Sequence, residues 1–254
     1  MQLADLVSYL DDYLESPGTQ DFAPNGLQVD GRPTVRKVVT GVSACHELFV
    51  RARALDADSV LVHHGLFWKG SDLPQPLTGL LYRRVAELVR HEISLIAYHL
   101  PLDRHPEVGN NAVAMRSLGI HDELTPFAEF GGAPVGFHGE LPQALDPDSL
   151  LDRCEEVFHQ RPTLVGDGPS EISRIGIVSG GGESVIHEAI ALGLDAYITG
   201  EIKEWVQNIA REAGIHYLTA GHYATERLGV LALGEHLAER FDLDVEFVDV
   251  PNPV

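Results

Sequence analysis

Two adjacent histidines, His63 and His64, end an unbroken run of β-prone residues, Ser59-Val60-Leu61-Val62, and are followed by Gly65. Such a run reads as a buried strand that stops where two metal-capable side chains begin. Neighbouring strand residues point to opposite faces. At a strand's end the backbone is free to turn, so both imidazoles can converge on one site or on two nearby ions. Two later stretches carry the same kinds of side chain. In Tyr98-His99-x-x-x-Asp103 a histidine stands four residues before an aspartate. In Gly221-His222-x-x-x-Glu226 one stands four before a glutamate, which puts both on one face if the chain is helical from Tyr223. His63, His64, Asp103, His222 and Glu226 are the candidate metal ligands. Three imidazoles and two carboxylates suit two divalent transition-metal ions, zinc, iron, manganese or cobalt, without choosing among them. Glu226 has two oxygens and can bridge. Two ions, typically ~3.5–4 Å apart, bring the pKa of a bound water to ~7 and clamp attacking and leaving atoms. His99 and Glu201 are metal-capable but left over once five ligands are assigned, and are the candidate catalytic residues for proton movement.

Each residue also has a plainer structural reading. A lone histidine is usually a surface or satisfied core residue, and the chain has 13. Asp103 after Leu100-Pro101-Leu102 can be a helix cap. The recurrence of these residues just past strands, twice along the chain, raises the joint case. Ser179-Gly180-Gly181-Gly182 joins a strand to a helix and could hold a phosphate on its amides, but no P-loop lysine follows, so a tight turn is the better reading. Asn25-Gly26 reads as a turn. Trp68 and Trp205 read as packing anchors.

The elements that position these residues alternate. The spacing predicts a helix over 3–15, a strand over 35–44, a helix over 46–56, the strand at 59–62, a helix over 82–90, a strand over 94–98 and a helix over 110–118. The second half repeats the order. A shift of 137 residues lays 27–68 over 164–205 without a gap, Leu27, Asp30, Gly31, Asp58 and Trp68 meeting Leu164, Asp167, Gly168, Asp195 and Trp205. His64 then falls on Glu201. A shift of 123 lays His99 and Asp103 over His222 and Glu226. Alternating strands and helices imply an α/β fold: two duplicated lobes with mainly parallel sheets and the metal site between them, at the carboxyl ends of the strands. The first lobe is expected over 1–125, a connector broken by Gly131-Gly132-Ala133-Pro134 over 126–145, and the second lobe over 146–254.

A net charge of −20 argues against a general nucleic-acid or anionic-membrane surface. Two cysteines offer neither a disulfide framework nor a cysteine zinc site, and fit a reducing, cytoplasmic setting. The first residues carry no basic or apolar signal pattern, and no apolar run approaches the ~20 residues of a membrane span.

The blocks Asn25-Gly26-Leu27-Gln28-Val29, Val62-His63-His64-Gly65, Tyr98-His99-x-x-x-Asp103, Ser179-Gly180-Gly181-Gly182, Thr199-Gly200-Glu201 and Gly221-His222-x-x-x-Glu226, in that order, resemble the dinuclear-metal-centre family. Its members are homologues of the yeast NGG-interacting factor, and many are labelled type 2 homologues of GTP cyclohydrolase I. The resemblance covers nearly the whole chain. The short 125–165 connection leaves no room for the domain that some members insert between the halves. The resemblance implies two intertwined α/β lobes and a toroidal homohexamer. It also implies two metal ions on the same five ligands and a hydrolase that opens the imidazole ring of a nucleotide such as GTP, releasing formate. The alternatives are a metal-dependent phosphoester hydrolase and a non-enzymatic metal-binding scaffold that engages a protein partner.

Overall fold

The computed structural model describes residues 1–69 and 76–254 and divides into two compact units. The first opens with α1 (Leu3–Tyr13), β1 (Gly26–Val29), β2 (Lys37–Ser43), α2 (His46–Ala54), β3 (Ser59–His64), α3 (Gly79–Arg90) and β4 (Ser94–Ala97). A short helix, α4 (Leu100–Arg104), carries the chain onward. The second unit holds α5 (Asn110–Ser117), β5 (Thr125–Phe130), β6 (Ala133–Leu145), α6 (Pro147–Phe158), β7 (Thr163–Val165), β8 (Ile172–Val178), α7 (Ile186–Ala191), β9 (Ala196–Thr199), α8 (Val206–Ala213), β10 (His216–Thr219) and α9 (His222–Thr225). Helix α10 (Arg227–Phe241) then leads to β11 (Asp244–Phe247).

The first sheet has the order β1-β4-β3-β2-β11, parallel except at β1. The second has the order β5-β6-β8-β9-β10-β7, with parallel strands at its centre and antiparallel ones at both sides. The continuous apolar run in β3 follows from this position. Val60, Leu61 and Val62 lie between two neighbouring strands and are buried together with His63. Removing each such aliphatic side chain from water stabilises by ~1.5–3 kcal/mol. The first core gathers Val39, Phe49, Val60, Leu95 and Val248, and the second gathers Met115, Leu150, Phe158, Ile175, Ile198 and Leu218.

The duplication holds in the strand registers. Val38 pairs with Ser59 in the first sheet, and Ile175 with Ala196 in the second, each pair 137 residues apart from its counterpart. Gly26 faces Ala97 as Thr163 faces Thr219. A carboxylate that caps the strand starts repeats as well, buried at Asp58 and half-buried at Asp195. Asp58 accepts from the N–H groups of Arg36 (2.9 Å) and Lys37 (3.1 Å), and Asp195 from those of Ser173 (2.9 Å) and Arg174 (2.8 Å). Each clamps the start of one parallel strand to the start of the next.

Three expectations change. Residues 126–145 are not a connector: β5 and β6 fill them as a hairpin, and Gly131 and Gly132 make its turn at φ 61° and 84°. The seam between units falls elsewhere too. The first unit comprises Met1–Leu102 and Val230–Val250, the second Asp103–Gly229 and Pro251–Val254, because β11 pairs in parallel with β2. Finally, Val62 and Ala97 pair as Thr199 and Thr219 do, so His99 stands level with Gly221, one residue before His222. The 123-residue overlay of the two histidines therefore slips by one residue against the strands. Among the described residues no helix is long and apolar enough to cross a membrane.

Candidate metal-binding residues

In the first unit the chain turns sharply at the end of β3. A Cβ on Gly65 would collide with the side-chain amide of Gln28, whose Oε1 accepts from Leu66 N–H at 2.8 Å. The turn lets two successive imidazoles approach, and the ring centroids of His63 and His64 lie 4.6 Å apart. His99, just past β4, joins them at 5.0 Å from His63 and 5.7 Å from His64. One ring nitrogen from each of the three lies within 4.8 Å of the others. Each ring is held through Nδ1. That of His63 donates to the Tyr98 carbonyl (3.0 Å), that of His64 meets Ser43 Oγ (3.0 Å), and that of His99 donates to Asp21 Oδ1 (2.7 Å). A carbonyl can only accept, so in the neutral ring of His63 the lone pair sits on Nε2.

Asp21 was not found from the sequence. It accepts from His99, from Asn25 Nδ2 (2.9 Å) and from the Leu100 N–H (3.0 Å), while Asn25 Oδ1 accepts from the His99 N–H (2.8 Å). Burial works to raise its pKa, but the hydrogen bond and charge of His99, then Asn25 and Leu100, hold the carboxyl down at about 2. A folded pKa below the unfolded one stabilises the protein above the ordinary carboxylate range, and the contribution is lost as pH falls through about 2. The urea midpoint of Asp21→Asn is therefore expected furthest below wild type near neutrality. The gap should narrow as the pH drops below ~4. A gap that stays constant over that range would rule out the charge as its origin.

In the second unit His222 starts α9 and Glu226 follows its last residue. Nε2 of His222 lies 3.2 Å from Glu226 Oε2, and its Nδ1 donates to Glu201 Oε1 at 2.6 Å. Burial works against a charge on His222, but the hydrogen bonds and fields of Glu226 and Glu201 outweigh it and raise the pKa to about 9. The buried Asp103 accepts on Oδ1 from Asn110 Nδ2 (2.9 Å) and Ser179 Oγ (3.0 Å), and a carboxylate oxygen lies within 4.8 Å of one on Glu226. Asn110 also accepts from the Gly229 N–H (2.7 Å), and Asn111 from the Ser179 N–H (2.7 Å). Nothing local in the sequence marks either asparagine.

The Gly180–Gly182 run is not a set of free amides around an anion. Two of its three amides are already used: Gly180 N–H donates to Thr225 Oγ1 (3.0 Å) and Gly182 N–H to Thr199 Oγ1 (3.1 Å). Gly180, at φ 63°, instead makes room: a Cβ there would collide with Glu226 Oε1 and crowd Nε2 of His222. Trp68 and Trp205 do not anchor a core, since 41% and 36% of their surface is exposed.

The sequence model of Duf34/NIF3 (NGG1p interacting factor 3) matches residues 1–253. The chain belongs to this family. Among curated relatives, proteins named GTP cyclohydrolase 1 type 2 homolog match along the Duf34/NIF3 chain. The one from Pseudomonas aeruginosa is 45% identical, over 99% of this chain and 98% of its own. The one from Pasteurella multocida is 43% identical over the full length of both. Two solved structures match over the full length of both chains: a protein named ybgI, of unknown function, at 42% identity and a TM-score of 0.93, and TTHA1606 from Thermus thermophilus at 38% and 0.87. This Duf34/NIF3 chain thus carries clusters of histidine and carboxylate in which a metal ion fits. The donors are of the right chemistry, two imidazoles (His63 and His222) are oriented through Nδ1, which leaves Nε2 as the nitrogen that could face an ion, and glycine at 180 keeps the space beside Glu226 clear.

Proposed function

We propose that the protein is a metal-dependent hydrolase that holds two divalent transition-metal ions on His63, His64, Asp103, His222 and Glu226. Zinc, iron, manganese and cobalt all suit this donor set. The observation that carries the reading is the treatment of the histidines. His63 gives Nδ1–H to the buried Tyr98 carbonyl and His222 gives its own to Glu201, the arrangement that orients an imidazole and raises its basicity as a ligand. When bound, the ions supply Lewis acidity and a water activated near neutral pH.

The substrate is a nucleotide such as GTP, in keeping with the name of the curated relatives. One water adds to C8 of the imidazole ring, the C8–N9 bond breaks, and N9 takes a proton, leaving a formamido group on N7. A second water releases formate and leaves the amine. His99, braced on Asp21, is the general base that takes the proton from water and returns it to the leaving nitrogen. Glu201 fixes His222 and tunes it. A cytoplasmic homohexamer that binds neither membrane nor nucleic acid belongs to the same reading.

The test is elemental analysis and a formate-release assay on one preparation. About two ions per chain are expected, because five N/O ligands exceed one tetrahedral ion. His63→Ala, Asp103→Ala and Glu226→Ala should each lose metal, and full retention in all three would refute the site. Formate release from GTP that requires the metal supports the reaction, and loaded protein that leaves GTP, other nucleotides and phosphoesters untouched refutes it. A second reading, a scaffold for a protein partner, is favoured by α3, which leaves Leu80, Tyr82 and Val89 about half exposed. It predicts the metal without the formate.

A further inference from the structure

Exposed aromatic side chains lie beside the imidazoles of the first unit. Phe22 is 56% exposed and Trp68 41%. The Trp68 ring lies 5.2 Å from His99 at 78° and 5.7 Å from His64 at 49°, and Phe22 lies 6.3 Å from His99 at 68°. The indole thus meets His99 edge-on and His64 at a tilt. Exposing two-fifths of an indole costs free energy, and its place beside a cluster of metal-capable side chains needs a reason.

The segment that carries Trp68 is fixed on both sides. Gln28 Oε1 accepts from the Leu66 N–H and its Nε2 donates to the Pro24 carbonyl at 2.8 Å, tying 66 to the 21–25 loop. Beyond Trp68, the Lys69 N–H donates to the Phe22 carbonyl. Asp21, which holds His99, also accepts from the Phe22 N–H. One carboxylate therefore sets the positions of the imidazole and of the adjoining aromatic, and the rim is formed before any ligand arrives.

We propose that Trp68, with Phe22 beside it, is the platform on which a planar nitrogen heterocycle stacks, so that the ring of the substrate, rather than its sugar or phosphates, decides what the site accepts. The proposal deepens the hydrolase reading and rests on it for the identity of the ring, a purine. A parallel ring on the indole satisfies its exposed surface, and a flat base is the partner that an aromatic face accepts whatever its substituents.

Binding to the metal-loaded full chain tests this. In a Trp205→Phe background, Trp68 is the remaining tryptophan. GTP and guanosine are expected to quench its emission with saturation, and ribose 5-phosphate and tripolyphosphate are not. By calorimetry Trp68→Leu should raise the Kd of guanosine about 10- to 100-fold and Trp68→Phe should restore most of it, both with wild-type metal content. Equal quenching by tripolyphosphate, unchanged Kd in Trp68→Leu, or no saturable quenching by any purine would overturn the platform. So would Trp68→Leu changing the oligomeric state while leaving guanosine affinity intact, which would make Trp68 a subunit contact. Trp68-dependent guanosine binding without formate release would keep the platform and refute only the reaction. Formate release with unchanged KM in Trp68→Leu would do the reverse.

Discussion

Gly180→Ala should strip metal from the protein, while Gly181→Ala, one residue on, should leave the metal in place. The two positions differ in what a methyl group meets. At Gly180 it runs into the Glu226 carboxylate and the edge of His222, and the left-handed φ of 63° adds strain of ~1–2 kcal/mol for any residue with a Cβ. At Gly181 the nearest atom is Glu183 Oε2 at 3.8 Å, ordinary contact. Glu226 is nearly fully buried and has little room to swing aside. The expected outcome for Gly180→Ala is a folded protein by circular dichroism with metal affinity reduced at least about tenfold, as for loss of a ligand's correct placement. Equal metal contents in the two variants would show that the Glu226 carboxylate does not need that space.

Glu201→Gln and Glu226→Ala should separate metal binding from turnover. Glutamine at 201 can still accept from His222 Nδ1–H, so the ring keeps its orientation, but the charge that raises its basicity is gone. Most of the metal should remain and formate release should fall about 10- to 100-fold. Alanine at 226 removes two carboxylate oxygens beside His222 and Asp103 and should abolish both metal and activity. If Glu201→Gln loses as much metal as Glu226→Ala, Glu201 is itself a ligand.

The residues that sequence reading reached share a local signature. The end of β3 shows because an apolar run halts at paired histidines, and the repeat shows because no insertion disturbs its first half. What stayed hidden depends on distance along the chain. Asp21 meets His99 across 78 residues, and Asn110 meets Gly229 across 119. Each is an ordinary polar residue until the fold brings its partner. The glycine–proline run at 131–134 reads as a break between lobes because a hairpin turn and a linker use the same residues. The alignment of His99 with His222 was attractive because both precede a carboxylate by four residues. Only the strand pairing shows the slip.

The pairing of β11 with β2 says something about descent. The four strands common to both units end at β2 in one and β8 in the other, and each of those strands has an edge that must be covered. β8 is covered by β6, antiparallel and from the hairpin before it, whereas β2 is covered by β11, parallel and from the far end of the polypeptide. A freshly doubled gene would not by itself have produced two different covers. Without its cover that edge is a row of bare N–H and C=O groups, a template for pairing with a neighbour, and the two units close it with strands that are not part of the repeat. A fragment ending at residue 125 would reopen that row on β2. Cutting this chain where its repeat suggests should therefore give a self-associating product rather than a free lobe.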